Sequence, residues 1–241
     1  MGWQERYLAR YYQSRPGWVN GTEEFHDLCA WFIPRGGKIL EIGAGPLNRT
    51  SEFLATHGEL HGIDPDPEVK QNSALKTQAV LVGDTYPHAS ESFDACVSNY
   101  VLEHVANPAA HLREVARVLR PGGTYIFRTP NRFHYVAAIS SLTPHWFHEA
   151  VANRIRRQGP EAHEPYPTFY AINSRRAVRI LGPKAGLTVE VLRMVEKEPS
   201  YGMASRALFL AFMAYEQIVN STELAADLRA NIFGVLRKPL R

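Results

Sequence analysis

The chain has 241 residues, 45% of them hydrophobic and 21% charged, with a formal net charge of +3 and a mean hydropathy of −0.27. That composition suits one globular domain with a sizeable core and excludes a disordered, collagenous or coiled-coil chain. No apolar run approaches the ~20 residues of a membrane span, and two cysteines are too few for a disulfide framework or a cysteine-built zinc site. Charge is unevenly placed: residues 1–120 carry 11 basic against 15 acidic side chains, and residues 121–241 carry 16 against 9. A basic second half can meet an anionic substrate, nucleic acid or a membrane surface, or simply present solvated helix faces.

The opening MGWQERYLARYY reads as a polar amphipathic helix and lacks the apolar core of a secretory leader, so a reduced, cytoplasmic protein is expected. Residues 1–35 are taken as a helical segment ahead of the first strand. Lys38–Gly43 is β-like and is followed by a helix near Thr50–His57. Leu60–Asp64, Ala79–Val82 and Phe93–Ser98 read as the next strands. Asn107-Pro108 offers an N-cap and a proline at the first helical position. Leu112, Val115, Ala116 and Leu119 share one face of the helix that follows. Pro121-Gly122-Gly123 stops that helix and turns the chain into a fifth strand, Thr124–Arg128. Strands alternating with helices imply crossover connections and a parallel sheet covered on both faces.

After the fifth strand the rhythm breaks. Residues 132–172 are rich in His, Pro, Trp and Tyr, and a long strandless stretch at this place is expected to be an inserted cap or lid. A helix near Ser174–Leu181, an alternating strand Thr188–Val195, an apolar helix over 203–220 and a last strand Asn231–Leu236 complete one domain over 1–241.

Open parallel sheets bind ligands at the carboxyl ends of their strands. Here the first strand ends in Glu41-Ile42-Gly43-Ala44-Gly45, whose glycines let the backbone turn tightly and a ligand approach closely. A dinucleotide fingerprint wants Gly or Ala where this chain has Asn48, and Glu41 would repel a phosphate, which disfavours an NAD(P) oxidoreductase. The second strand ends in Asp64, able to accept from both hydroxyls of a ribose. The third ends in Gly83-Asp84, where a carboxylate can take a bond from an adenine amino group. Each acid alone can equally cap a helix; three in register with a glycine loop favour a cationic adenosine ligand over a polyphosphate one.

The runs LEIGAG, GID, VGD, FDACVSNYVLEHV and VLRPGG, in that order within residues 36–131, resemble the class I S-adenosylmethionine-dependent methyltransferases, and among them the group that modifies small molecules. The resemblance implies an α/β, Rossmann-like fold: a seven-stranded, mostly parallel sheet with the last strand antiparallel, helices on both faces, and a helical cap inserted after strand 5. It implies S-adenosylmethionine as cofactor, with Gly43, Ala44 and Gly45 beneath its methionine part and Glu41 orienting the loop and the amine. Asp64 then resembles the ribose acid, Pro65 lies beside the adenine face, and Asp84 and Thr85 form the adenine-binding pair. Asn99 and Tyr100 reach the methionine moiety.

A sulfonium is already a good methyl donor, so a general base is needed only for an acceptor that must lose a proton. His104, after the fourth strand, and His134, after the fifth, are the candidates, although either can be a histidine bonded to backbone. His145 and His148 form an H-x-x-H pair with only Glu149 nearby, and no metal is expected. Trp146, Phe147, Tyr166, Phe169 and Tyr170 can line an acceptor pocket or pack the cap. Tyr7, Tyr11, Tyr12 and Trp18 can form an opposite wall or pin the N-terminal helix.

The expected activity is methyl transfer to an oxygen, nitrogen or carbon of a small-molecule acceptor, with a monomer and a homodimer both open. The alternatives are a methyltransferase acting on RNA or protein, and a cofactor-binding partner protein without catalysis. Nucleic acid is disfavoured: no appended RNA module is visible, and Asn99-Tyr100 is not the Asn/Asp-Pro-Pro-Tyr pattern used on base amino groups.

Overall fold

The structure is a computed structural model that describes residues 2–135, 166–199 and 205–240. Its seven strands are β1 (Lys38–Ile42), β2 (Glu59–Asp64), β3 (Thr77–Val80), β4 (Phe93–Asn99), β5 (Leu119–Pro130), β6 (Thr188–Val195) and β7 (Asn231–Arg237), arranged β3-β2-β1-β4-β5-β7-β6. The first five pair in parallel. The backbone N–H of Gly122 donates to Lys238 O and that of Asn131 to Ala230 O, so β7 runs against β5. The expected sheet, last strand reversed, is the one observed.

Parallel strands lie buried on both faces, which explains near-continuous apolar runs such as KILEI. Ile39, Leu40, Ile63, Val97 and Ile126 are fully buried. Helices α2 (Gly21–Phe32), α3 (Arg49–Ala55), α4 (Pro108–Val118) and α5 (Arg175–Lys184) accompany them. Asn48, Asn107 and Ser174 cap α3, α4 and α5 with their side-chain oxygens. No helix among the described residues is long and apolar enough to cross a membrane.

Two boundaries differ from the sequence reading. β3 ends at Val80, whose parallel partner Asp64 is the last residue of β2, and Val82 beyond it is 86% exposed. An apolar pair cannot extend a strand whose neighbour has stopped. At the other site, Pro121-Gly122-Gly123 does not separate helix from strand. α4 ends at Val118 and β5 already includes the Pro-Gly-Gly, with a register shift against β4 between Phe93 and Ala95.

The chain divides into two compact units. The second, 24–130, 168–193 and 232–241, holds the sheet ends considered below. The first comprises 1–23, 131–167 and 194–231. In it, α1 (Trp3–Leu8) gives way to one π-helical turn, Ala9–Gln13, instead of a single helix. Trp3, Tyr7, Tyr11 and Tyr12 surround the buried Phe209 of α6 (Arg206–Asn220), with ring centroids 5.5–6.4 Å apart. The Tyr12 hydroxyl donates to buried Glu216 at 2.9 Å. These aromatics pin the N-terminal segment. Most of the expected cap, 136–165, including Trp146, Phe147, His145, His148 and Glu149, lies outside the described residues.

Candidate cofactor and acceptor site

Beyond β1 the chain turns through Gly43 (φ +73°) and Gly45 (φ +50°), a left-handed backbone that favours glycine. A Cβ on Gly43 would stand 2.3 Å from Val101 Cγ2, so the loop packs against the chain leaving β4. The N–H groups of Gly43 and Ala44 donate to Ile63 O, and that of Gly45 donates to Asp64 Oδ2 at 2.9 Å. Asp64 Oδ1 accepts from the N–H of Asp66 at 2.7 Å. An ionised carboxylate has about four acceptor positions, so each Asp64 oxygen keeps one for a ligand hydroxyl. Burial raises the Asp64 pKa, and the two backbone bonds pull it back.

Glu41 is 3% exposed, and burial pushes its pKa up to about 7, against the hydrogen bond from Ser51 and helped by the Asp64 charge. The Ser51 hydroxyl donates to Glu41 Oε2 at 2.7 Å and accepts from Asn72 Nδ2 at 2.9 Å. That same amide lies 3.3–3.4 Å from the carbonyls of Ala44, Gly45 and Pro46. Glu41 therefore acts on the loop through Ser51 and Asn72. Sequence reasoning missed both, because their partners are distant in the chain and neither stands in a recognisable run.

Asn48, read as a departure from a dinucleotide loop, has its own task. Its amide donates to Ala44 O and Pro46 O, and its oxygen accepts from the N–H groups of Thr50 and Ser51. The donors that would cradle a pyrophosphate are already occupied. The loop suits a ligand without one.

The fit to an adenosyl sulfonium rests on one further atom and on space at the loop. Asn99 donates to Thr50 Oγ1 at 3.1 Å, while its buried Oδ1 has no donor among the described residues. It is ready to accept from an ammonium. Around Gly45 the nearest atom to a built Cβ is Asp64 Oδ2 at 4.0 Å, which leaves room at the loop. Pro65, Asp84 and Thr85 are exposed. Asp84 and Thr85 follow Gly83 (φ +71°) on chain beyond β3. Tyr100 leaves β4 at φ +59°, its ring 4.3 Å beneath the Arg128 guanidinium, which donates to the Tyr100 hydroxyl.

Of the two histidines, His104 ends the short turn Leu102–His104 directly after β4, with its side chain 34% exposed and Nε2 4.0 Å from Glu103 Oε1. His134 belongs to the first unit. It is 4% exposed, lies tilted against Tyr135 and edge-on to Tyr215, and has Nε2 3.5 Å from Glu196 Oε2. Burial pulls its pKa down to about 4 and pushes that of Glu196 up to about 8, so the proton between them stays on the carboxyl.

Residues 40–127 match the family described as a methyltransferase domain. An uncharacterized methyltransferase of Mycolicibacterium vanbaalenii is 36% identical over 94 residues, which is 36% of this chain and 37% of that protein. Matches of this kind cover 31–46% of the curated relatives' own lengths. Among solved structures, the [4+2]-cyclase SpnF is 17% identical with a TM-score of 0.59, over 96% of this chain and 87% of that one. Phospholethanolamine N-methyltransferase 2 of Haemonchus contortus, in complex with phosphomonomethylethanolamine and S-adenosylhomocysteine, is 15% identical with a TM-score of 0.54, over 92% of this chain and 53% of that one. Residues 40–127 thus match the methyltransferase-domain family, in a chain that shares its fold with solved S-adenosylmethionine-dependent methyltransferases.

Proposed function

We propose that this chain methylates a small molecule with S-adenosylmethionine. The observation that carries the reading is the loop end of β1 and β2. A left-handed glycine turn is tied to Asp64, both of whose oxygens keep acceptor capacity, and the helix N-terminus behind it is closed to phosphate. When bound, the cofactor supplies an electrophilic methyl group whose bonding pair leaves on sulfur. The chain's residues then have three tasks: to hold the ribose (Asp64) and the methionine amine (Asn99 Oδ1, with Glu41 behind the loop), to exclude water, and to take a proton where the acceptor must lose one.

His104 is the preferred proton acceptor, because an imidazole held near pKa 4, as His134 is, binds a proton weakly at neutral pH. Two buried free thiols, Cys29 and Cys96, suit a reducing, cytoplasmic setting.

The test is calorimetry with S-adenosylhomocysteine, followed by transfer of a labelled methyl group to a small-molecule extract. Binding with label appearing on small molecules supports the reading. Label on RNA or protein would replace it with the macromolecular alternative, and binding without any transfer would favour a non-catalytic partner protein. No binding would sink it.

A further inference from the structure

We infer that Thr50 positions the side chain of Asn99. Its hydroxyl holds the amide so that Oδ1, and not Nδ2, meets the methionine amine of the cofactor, and His26 on α2 fixes that hydroxyl in turn. This rests on the S-adenosylmethionine reading above and adds to it two positioning residues that stand behind the one meeting the ligand.

Asn99 ends β4. In the parallel register Ile42 stands opposite Ser98, so Asn99 comes level with Gly43, the first residue of the glycine turn. The amide has two ends of nearly the same shape and opposite use: Nδ2 donates and Oδ1 accepts. One way round alone suits an ammonium, since the other sets N–H against N–H. Nδ2 donates to Thr50 Oγ1 at 3.1 Å, while the buried Oδ1 has no hydrogen-bond partner among the described residues. A buried acceptor left unpaired is costly. A donor carried in by the ligand removes that cost.

A hydroxyl both donates and accepts, so Thr50 by itself could hold either end of the amide. Its surroundings decide which. Thr50 is 5% exposed in the first turn of α3, where its N–H donates to Asn48 Oδ1 at 2.9 Å. His26 Nε2 stands 3.4 Å from Thr50 Oγ1, and an imidazole with its proton on Nδ1 accepts the hydroxyl proton there. Oγ1 is then left to accept, and only Nδ2 of the amide can supply it. The His26 ring is itself held, stacked on Phe53 of α3 with centroids 4.2 Å apart and planes 6° from parallel. One orientation thus passes from ring to hydroxyl to amide across α2, α3 and β4.

The test is calorimetry with two ligands: S-adenosylhomocysteine, and its deamino analogue, which keeps the carboxylate and lacks the amine. Wild type should bind the first more tightly, through the charge-assisted bond to Oδ1. Thr50→Val keeps the shape and removes the hydroxyl. With the amine bound, Nδ2 then faces a methyl group, and S-adenosylhomocysteine should weaken about 10-fold. The deamino analogue should keep its affinity, and Thr50→Ser should keep both. His26→Phe, which preserves the stack on Phe53, should give a smaller loss of the same kind, about 3-fold. In the Asn99→Asp chain both ends of the side chain accept, so Thr50→Val should cost nothing further there. Unchanged S-adenosylhomocysteine affinity in Thr50→Val, an equal loss for both ligands, or the same loss in the Asn99→Asp chain overturns the positioning role. Equal wild-type affinities for the two ligands also overturn it, and leave the cofactor reading standing. No binding of either ligand by wild type is the failure of that reading, and the inference falls with it.

Discussion

At the ends of β1 and β2, polar side chains are tied to backbone: Asp64 accepts from the N–H groups of Gly45 and Asp66, and Asn72 donates to loop carbonyls. At the carboxyl ends of β4 and β5 they are tied to one another: Glu103 to Thr129, Thr129 to Asn173, Arg128 to Tyr100. Backbone-tied groups are fixed by the fold and present the same surface whatever else the chain varies, which suits an invariant cofactor. A network of side chains can be exchanged without disturbing strand positions, which suits a variable acceptor. Changes on the two sides should therefore separate: cofactor affinity on one, turnover and its pH dependence on the other.

The hardest way to break the first side is steric. Gly43→Ala forces a left-handed alanine and a Cβ within 2.3 Å of Val101 Cγ2. Overpacking and backbone strain together should cost about 2–5 kcal/mol, read as a fall in melting temperature and loss of S-adenosylhomocysteine binding. Val101→Ala in the same chain should recover the steric part. Gly83→Ala is the control, with φ +71° but nothing within 4 Å of its Cβ, and should cost only about 1 kcal/mol. Equal losses at the two glycines would mean that the contact with Val101 carries no weight.

Asp64→Ala comes next. Loss of a charged acceptor from a ribose should cost roughly 1.5–3 kcal/mol, or ~10–150-fold in affinity, with a fall in Tm beside it because the N–H groups of Gly45 and Asp66 lose their acceptor. Calorimetry giving wild-type affinity would remove Asp64 from the site.

The same contrast explains what could be read from sequence. The glycine loop, Asp64 and the strands of the first half were legible because turn chemistry and apolar runs are local signals. Asn72 was not, since its partners lie 21–28 residues away, and nothing in Gln71-Asn72-Ser73 marks an amide aimed at a loop. Glu103 sat inside a quoted run, yet its burial depends on Thr129, 26 residues on. The π-helical turn at Ala9–Gln13 had no sequence signal either; it follows from packing Tyr11 and Tyr12 on Phe209.

Glu41→Gln sharpens the comparison through pH. Burial raises the acid from 4.5 to about 7, so the stability it contributes is present below the unfolded value and lost as pH rises through about 7. Removing the charge should stabilise the chain at pH 8 by about 1–3 kcal/mol and leave it unchanged at pH 4, while weakening S-adenosylhomocysteine at pH 8. Melting curves at both values check the sign. A stability difference independent of pH would mean that Glu41 is not held as a buried acid.

The smallest effect is expected at His134→Phe, and it bears on which histidine serves the acceptor. The His134 ring lies 4.1 Å from Tyr135 and 5.8 Å edge-on to Tyr215, contacts that a phenyl ring keeps. Its depressed pKa, about 4, means the folded chain binds fewer protons there than the unfolded one between pH 4 and 6.5. Wild type therefore loses stability as pH falls through that window, and the Phe variant should escape that share of the loss. Glu196, raised to about 8, works in the opposite direction, its contribution being lost as pH rises from 4.5 toward 8. The Phe variant should thus keep the alkaline loss and shed the acid one, with melting at pH 7 shifted by less than about 1 kcal/mol. Turnover should barely move, since an imidazole this hard to protonate contributes little as a base at neutral pH. A ~10²-fold fall in kcat with an altered pH profile would make His134 the proton acceptor in place of His104.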